Sequence, residues 1–381
     1  MSFDPTDYPD SRSRRQFLFG MVAAPLLVSI RGSRSEALPD SSLTQDAPIS
    51  LPSAPFSRAF DFAKLDSWIT PNSEFFLRSH FGTPRLDVAD WTVTVTGAVN
   101  RDRTFAMDEL FRFPRVEEVV TLECAGNPVG WGGVSNARWT GVSVATLLEL
   151  AGVNPEASEI VFVGSDGGEE REAGGIQVDA YARSIPLSKA LQQSTMLAYR
   201  MNNEPLPDQH GGPLRALVPG WYGSESVKWL RRIVVSKVEF KGWYQLNRYY
   251  EARRNGTRIE RTPLGPVRIK SQIARPSNGS VLSLGVTTIA GAAWCGDAEV
   301  TRVELSFDGG RTWVESKLGS EHEPRAWRLW SYDWRPRQPG RYEIVARATD
   351  SRGRLQPLER DSTIVTPYAN NWCDRRRVEV R

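Results

Sequence analysis

The sequence predicts an α+β protein, in which a mixed α/β domain is followed by an all-β sandwich. The chain has 381 residues, more than one hydrophobic core usually fills, so two domains are expected. Strand-like and helix-like apolar patterns alternate up to about residue 258. After Pro263 the helical patterns end, and short β segments separated by turn residues take over. We therefore assign residues 38–258 to the mixed domain and residues 259–381 to the sandwich.

The first 37 residues have the features of an export signal. Arg14 and Arg15 precede an uncharged apolar stretch at 17–30, and Ser35 and Ala37 provide the small residues that a signal peptidase requires. The apolar stretch is too short to cross a bilayer comfortably. A basic amphipathic N-terminus is the alternative. We predict a twin-arginine signal over residues 1–37, and a periplasmic mature protein without a membrane span.

The mixed domain begins with a segment rich in Pro, Ser and Asp, which indicates a linker up to about residue 65. Residues 91–97 alternate between Thr and apolar side chains, a pattern typical of a half-buried strand. Further strands are predicted at 116–122, 160–163 and 233–238, and helices at 144–150 and 187–191.

The second domain is predicted to consist of strands. They lie at 267–274, 287–294, 300–307, 327–334 and 342–348. Asp308 followed by two glycines favours a hairpin turn, and Pro339 with Gly340 favours another turn. This pattern is typical of an immunoglobulin-like sandwich.

Composition excludes several classes of protein. The 48 basic and 45 acidic residues nearly cancel and form no basic block, which gives no sign of nucleic-acid binding. The three cysteines, Cys124, Cys295 and Cys373, are too few for a disulfide framework, and none has the spacing of a covalent haem site.

Cys124 is the candidate with the clearest chemistry. It follows an apolar strand and precedes Ala125 and Gly126, whose small side chains would let a bulky ligand approach the backbone. A thiolate is a soft, strong metal donor. A buried structural cysteine is the alternative interpretation of this residue alone.

The chain from about Thr70 to its C-terminus resembles the sulfite oxidase family. Several blocks carry the resemblance in the family's order: FFLRSH at 75–80, CAGN at 124–127, ARWTG at 137–141, HGGPLR at 210–215, VPG at 218–220 and SVKW at 226–229. Two further blocks, AWCG at 293–296 and SFDGG at 306–310, resemble the family's immunoglobulin-like dimerisation domain.

This resemblance implies a molybdenum–molybdopterin cofactor with one pterin per site and with Cys124 as the protein's ligand to the metal. The implied cofactor contacts are Arg78, His80, Cys124, Asp166, His210, Arg215, Ser226, Val227 and Lys228. Arg78 and Tyr249 are the implied catalytic residues, although the adjacent Tyr250 leaves the register of the tyrosine open. Each residue taken singly also fits a structural role, as a satisfied histidine, a surface ion pair or a turn aspartate. Their joint occurrence favours a site.

Two departures from the family concern the substrate. An arginine pair is expected after the CAGN block, but Pro128 and Val129 occupy those positions. A further arginine is expected near the C-terminus, where residues 367–372 contain none.

The resemblance implies oxygen-atom transfer to sulfite or a related sulfur compound, with electrons passed to a separate acceptor such as a periplasmic c-type cytochrome. The departures keep open a molybdenum-dependent reductase of a sulfoxide or another oxyanion. A non-enzymatic immunoglobulin-like binding protein is the alternative of another class. The dimerisation-type domain also implies a possible homodimer.

Overall fold

A computed structural model describes residues 56–84, 86, 89–170 and 175–381. The predicted signal at 1–37 and the first part of the predicted linker lie outside the described residues. Among the residues that are described, no helix combines the length and the apolarity needed to cross a membrane.

The mixed domain contains two large sheets. The first has the strand order β10-β7-β14-β3-β4, in which β14 and β3 are parallel and the other pairs are antiparallel. Its strands are β3 (Thr92–Gly97), β4 (Arg103–Ala106), β7 (Glu159–Gly164), β10 (Ala182–Pro186) and β14 (Leu230–Ser236). In β3 the valines are buried and the threonines are half-buried, because successive side chains of a strand point to opposite faces.

The second sheet has the order β12-β11-β6-β5, and β13 pairs with β11. Its strands are β5 (Arg115–Glu123), β6 (Val134–Ser143), β11 (Met196–Met201), β12 (Glu204–Pro205) and β13 (Arg215–Leu217). The last five residues of β5 are all buried, so this strand delivers Cys124 to the interior of the protein.

Helices contribute little to the described structure. The α-helices are Met107–Leu110, Val144–Ala151 and Leu187–Ala190; single turns of 3-10 helix are Phe62–Lys64, Asp208–His210 and Gly223–Glu225; a π-helix spans Tyr244–Arg248. Helix Val144–Ala151 buries Leu147 and Leu148 and ends at Gly152, whose φ of 72° is the left-handed conformation that glycine adopts readily.

The second domain is a sandwich of two sheets, as predicted. One has the order β17-β19-β23-β22 and the other β18-β25-β24-β20-β21. The strands are β17 (Lys270–Arg275), β18 (Val281–Leu282), β19 (Thr287–Trp294), β20 (Val300–Ser306), β21 (Val314–Glu315), β22 (Lys317–Leu318), β23 (Arg328–Trp334), β24 (Gly340–Asp350) and β25 (Asp374–Val380). The order of the strands within these sheets matches the A-B-E-D and G-F-C sheets of an immunoglobulin-like fold. Apolar side chains from both sheets, such as Ile289 and Ile344, share one core.

Small two-stranded sheets complete the architecture. They pair β1 (Phe56–Arg58) with β2 (Leu77–Ser79), β8 (Gly168–Glu170) with β9 (Ile176–Val178), and β15 (Tyr250–Asn255) with β16 (Arg258–Pro263). The domain boundary after residue 258 stays a prediction. It falls at the start of β16, which pairs with β15 along its whole length.

Some predicted strands differ from the structure in their limits. The strand predicted at 233–238 begins at Leu230 and ends at Ser236, because the Ser236 hydroxyl bonds to the backbone of Val238 and turns the chain. The strand predicted at 267–274 begins only at Lys270, since Val267 bonds instead to Gly220 and Gly296 across the domain junction. The turn at Asp308 does form a hairpin, but its second strand is the two-residue β21, which periodicity did not predict.

The two domains share an apolar core. Phe62 packs edge-on against Trp327 of the sandwich and lies 6.4 Å from the Trp294 ring, centroid to centroid. These rings belong to the same buried cluster as Trp91 and Phe105 of the mixed domain. The sandwich is therefore packed directly against the strands that carry the site.

Candidate active site

A cleft lies where strand ends of the two large sheets meet. Its volume is about 700 Å³ when the open space at its mouth is included. Cys124 follows β5 and Arg215 begins β13 of the second sheet, whereas Asp166 follows β7 and Lys228 precedes β14 of the first. The lining also includes Arg78, His80, Tyr181, Gln209, His210, Ser224, Ser226 and Tyr249.

Cys124 lies in a tight turn at the end of β5. Its N–H donates to Gly133 O (2.8 Å), and its carbonyl accepts from Asn127 N (2.9 Å). The residue is half-buried because it faces the cleft. Burial raises the pKa of the Cys124 thiol, and the charge of Arg78 opposes this shift. A bound metal would favour the thiolate over the thiol.

Lys228 reaches into the cleft from the segment before β14. Its Nζ donates to Ser79 Oγ (2.6 Å) and to Gln209 O (3.2 Å), and it lies 4.3 Å from the centroid of the Trp229 ring. Trp229 has a φ of 48°, a conformation that non-glycine residues seldom adopt and that tends to occur at functional sites. Gly211 makes room for this arrangement, since a Cβ on it would lie 2.8 Å from Lys228 Cβ.

Asp166 is buried beside this lysine. Its Oδ1 is buried and accepts no hydrogen bond from any residue that the structure describes. Burial raises the pKa of Asp166 and lowers that of Lys228, and the charge of each partner opposes the shift of the other. The carboxylate oxygen therefore remains available to a donor on a ligand.

Arg215 is held rigidly by backbone carbonyls. Its two Nη atoms donate to His210 O (2.7 Å) and Ser226 O (2.8 Å), and its buried Nε has no partner among the described residues. Burial lowers the pKa of the Arg215 guanidinium to about 9. His210 donates from Nε2 to Asn72 O (3.0 Å), and burial lowers its pKa to about 4, so it is neutral near pH 7.

Tyr249 ends a chain of polar contacts behind the cleft. Its hydroxyl lies 2.6 Å from His80 Nε2, and His80 Nδ1 lies 2.9 Å from Glu170 Oε2. The Tyr244 hydroxyl donates to the same Glu170 oxygen (2.8 Å). Burial lowers the pKa of His80, whereas the hydrogen bond from His80 lowers the pKa of Glu170 to about 2 against the effect of its own burial. Neutral His80 thus donates to an ionised carboxylate and accepts from Tyr249.

All but one of the residues predicted for the site line this cleft: Arg78, His80, Cys124, Asp166, His210, Arg215, Ser226, Lys228 and Tyr249. Val227 is the exception. Its side chain is buried in the core, its N–H donates to Glu225 O, and its carbonyl accepts from Ala216 N. Tyr249, and not Tyr250, faces the cleft; Tyr250 begins β15 and contacts Arg261.

Sequence reasoning missed several residues that complete the site. They are Ser79, Glu170, Tyr181, Gln209, Ser224 and Tyr244. No motif contains Glu170, and only the β8–β9 hairpin determines that it faces inward while Glu169 is exposed. Ser79 lies within the FFLRSH block, whose strand alternation could have indicated its burial beside Arg78.

The donor set fits a molybdopterin cofactor. Arg215 is a buried cation and Lys228 a half-buried one, and both donate to carbonyl or hydroxyl oxygens, so an anionic phosphate would offset their loss of solvent. The buried Oδ1 of Asp166 and Oγ of Ser165 have no partner within the described part of the chain, so they can bond to polar edges of a pterin. Cys124 offers a thiolate, a strong electron-donating ligand for a metal.

Comparison with known protein families agrees with this fit. Residues 80–244 match the family described as "Oxidoreductase molybdopterin binding domain", and residues 263–380 match "Mo-co oxidoreductase dimerisation domain". The cleft therefore lies in a molybdopterin-binding domain of the oxidoreductase type.

Individual relatives lead to the same family. The chain is 34% identical to sulfite oxidase of Gallus gallus, over 77% of this chain and 69% of that protein. It is also 34% identical to a nitrate reductase of Oryza sativa subsp. japonica, over 80% of this chain and 38% of that protein. It spans 58% of the length of the mitochondrial sulfite oxidases of rat, mouse and human, to which it is 34–35% identical.

A solved structure extends the likeness to the whole fold. The sulfane dehydrogenase SoxCD from Paracoccus pantotrophus superposes with a TM-score of 0.75 at 26% identity, over 91% of this chain and 92% of that chain. The fold, the donor set and the relatives agree, and the chain belongs to the sulfite oxidase family of molybdopterin-dependent oxidoreductases.

Proposed function

We propose that the mature protein is a periplasmic oxidoreductase that oxidises sulfite, or a related reduced sulfur compound, by oxygen-atom transfer. The observation that carries the proposal is the presence of Cys124, Arg78 and Tyr249 in one cleft with the cofactor-binding donors. Similarity to sulfite oxidases and to a sulfane dehydrogenase supports a sulfur substrate.

The cofactor, when bound, supplies the two-electron redox chemistry and the exchangeable oxygen. The protein's own groups bind and orient the reactants. Arg78 contributes positive charge next to Cys124 and Tyr249, which attracts an anionic substrate. The Tyr249 hydroxyl donates to His80, which Glu170 holds in turn, so that the phenol oxygen has a fixed position at the cleft. Burial raises the pKa of Tyr249, so the phenol stays protonated near neutral pH.

The binding of a doubly charged anion depends on how many cations surround it. Pro128 and Val129 stand where the family resemblance implies arginines, and Tyr368 lies in the C-terminal stretch where another is implied. The Tyr368 ring centroid is 5.5 Å from that of Tyr249. The absence of arginine at these three positions supports a substrate with less charge than sulfite, such as a sulfane sulfur compound. Each lost charged hydrogen bond would reduce sulfite affinity about tenfold or more.

Reduction of an oxyanion is the second candidate. The relationship to a plant nitrate reductase favours it, since that protein is 34% identical over 80% of this chain. Non-enzymatic binding by the sandwich is not supported, because the matching cofactor domain lies outside it.

Electrons are proposed to pass to a separate acceptor, a periplasmic c-type cytochrome, and the dimerisation-type domain supports a homodimer. Steady-state assays of the purified protein test the direction of the reaction. Sulfite and a sulfane compound are offered with ferricyanide or cytochrome c, and nitrate and a sulfoxide with a reduced dye. We expect acceptor reduction with a sulfur compound. Dye oxidation without any sulfur-dependent turnover would instead establish the reductase.

A further inference from the structure

The loop that carries the cysteine is held by side chains from the other domain. We define the cysteine loop as residues 123–127. Glu123, its first residue, is almost fully buried. Its Oε1 accepts from Lys270 Nζ (2.8 Å) and from Asn127 Nδ2 (2.9 Å), and its Oε2 accepts from Trp294 Nε1 (2.8 Å).

Lys270 and Trp294 act as one unit of the sandwich. They are directly opposite each other in the β17–β19 pair, so both side chains reach the same carboxylate from adjacent strands. Only 1% of the Lys270 side chain and 2% of the Glu123 side chain are exposed. Two charges removed from water are tolerated only when they are paired in good geometry, so this pair fixes the position of Glu123.

Glu123 connects the two ends of the cysteine loop. It precedes Cys124 in the chain, and through its side chain it binds Asn127. Asn127 Oδ1 accepts from Gly133 N (3.1 Å), while Cys124 N donates to Gly133 O (2.8 Å). A shift of the carboxylate would therefore move the turn that orients the Cys124 side chain.

A second segment of the sandwich docks on the same loop. Ala369 N donates to Ala125 O (3.0 Å), and the Tyr368 ring lies against Gly126, where an added Cβ would be 3.7 Å from it. The loop thus has contacts with the second domain at its first, middle and last residues, because Lys270 Nζ also approaches Asn127 O (3.4 Å).

We propose that Lys270 is a positioning residue of the active site. Together with Trp294 it holds Glu123, and through Glu123 it fixes the direction in which the Cys124 thiolate meets the molybdenum. The sandwich, beyond any part in dimerisation, completes the metal site of its own chain. This inference depends on the cofactor that the family binds and not on which substrate is oxidised.

The test compares Lys270→Met, Lys270→Arg and Gln356→Met as purified enzymes. Gln356 is a matched control, since it is buried, accepts from Ser271 N (2.8 Å) and Ala348 N (3.1 Å) within the sandwich, and has no hydrogen bond to the cysteine loop among the described contacts. Molybdenum content, kcat per molybdenum, and the electron paramagnetic resonance spectrum of Mo(V) are measured. The spectrum and the metal content report on the site even if the physiological substrate differs from the one proposed.

We expect Lys270→Met to lower kcat per molybdenum about 10–100-fold and to alter the Mo(V) spectrum, as loss of a group behind a metal ligand typically does. Lys270→Arg should restore part of the rate, and Gln356→Met should leave both readouts unchanged while lowering thermal stability. A folded, loaded Lys270→Met enzyme with wild-type kcat and spectrum would overturn the proposal. So would equal changes in Gln356→Met, because these would indicate a general loss of stability.

If the Lys270→Met protein does not fold or does not bind molybdenum, Trp294→Phe is tested instead. This substitution removes only the indole N–H donor to Glu123. A changed Mo(V) spectrum in that variant supports the proposal, and a wild-type spectrum rejects it. Absence of molybdenum from the wild-type protein would instead contradict the cofactor assignment. Failure of the cofactor assignment can therefore be distinguished from failure of the positioning role of Lys270.

Discussion

Cys124 combines two properties at the scale of a single residue: it is a soft donor, and it faces a cleft lined by buried polar groups. Cys124→Ser should abolish turnover, because an alkoxide is a harder and weaker metal ligand than a thiolate. The protein should remain folded, since the replacement is nearly isosteric. Steady-state kinetics and circular dichroism of the purified variant are the measurements.

Cys373→Ser is the matched control. Cys373 is buried in the sandwich, where its Sγ lies 4.0 Å from Gln356 O, and it does not line the cleft. We expect that variant to keep its activity. Normal turnover in pure Cys124→Ser would show that another group binds the metal.

His210 makes stability depend on pH. Burial lowers its folded pKa to about 4, whereas the unfolded residue titrates near 6.5. The unfolded chain therefore binds the proton first, and folding free energy is lost as the pH falls from about 6.5 to about 4. The difference between the folded and unfolded pKa of His210 corresponds to about 3 kcal/mol of unfolding free energy. His210→Gln, which can still donate to Asn72 O, should give a flatter profile in chemical denaturation between these pH values.

The control for this prediction is His322→Gln. His322 lies on the surface of the second domain, with 41% of its side chain exposed, and pairs with Glu299. Its replacement gives the baseline for exchanging an exposed histidine for glutamine outside the cleft. A His210→Gln profile as steep as that of the wild type would mean that other groups cause the acid sensitivity.

At the scale of elements, the N-terminal segment carries its own prediction. Replacing Arg14 and Arg15 with lysines should leave the protein in the cytoplasm, because a transport receptor reads the arginine pair and not its charge alone. Fractionation followed by immunoblotting measures the distribution. Replacement of Arg34, which is outside the pair, is the control and should permit export; undiminished periplasmic protein in the double lysine variant would refute the signal.

Elements also explain how distant residues reach the cleft. The strand ends of β5, β7 and β14 deliver Cys124, Asp166 and Lys228 from different parts of the chain. The short β8–β9 hairpin delivers Glu170 to His80. Each side chain is fixed by an element that ends at the cleft, which suits a site that must hold a rigid cofactor.

At the scale of the whole molecule, the domains meet at an exceptionally close backbone contact. A Cβ on Gly296 would lie 2.0 Å from Gly220 O and 2.5 Å from Val267 N. Gly296→Ala should therefore displace the domain junction and lower the free energy of unfolding by about 1–3 kcal/mol. Because the sandwich holds the cysteine loop, the variant should also lose activity. Thermal denaturation and kinetics test both effects.

Gly265→Ala provides the comparison at the same junction. An added Cβ there would meet only the Trp221 ring, at 3.8 Å, which is ordinary contact. We expect a change within about 0.5 kcal/mol and full activity. If Gly296→Ala behaved in the same way, the junction would be more adaptable than its backbone contact indicates.

The sequence by itself predicted the main architecture and many of the residues that line the cleft. The alternation in β3, the apolar run of β5 and the strand pattern of β19 depend on local burial, so a local pattern predicted them. The spaced blocks of the family resemblance indicated the cofactor and Cys124, because each block is short and contiguous.

Only the tertiary structure decided the contacts between distant segments. It determined that Tyr249 and not Tyr250 faces the cleft, that Val227 packs in the core, and that Glu170 supports His80. Glu123 and Lys270 are 147 residues apart, and their pairing exists because one domain packs on the other. Periodicity reports which side of a strand is buried, but it carries no information about which side chain from another strand or domain lies opposite. The physical reason is that pairing energies between remote groups depend on distances that only the packed chain establishes.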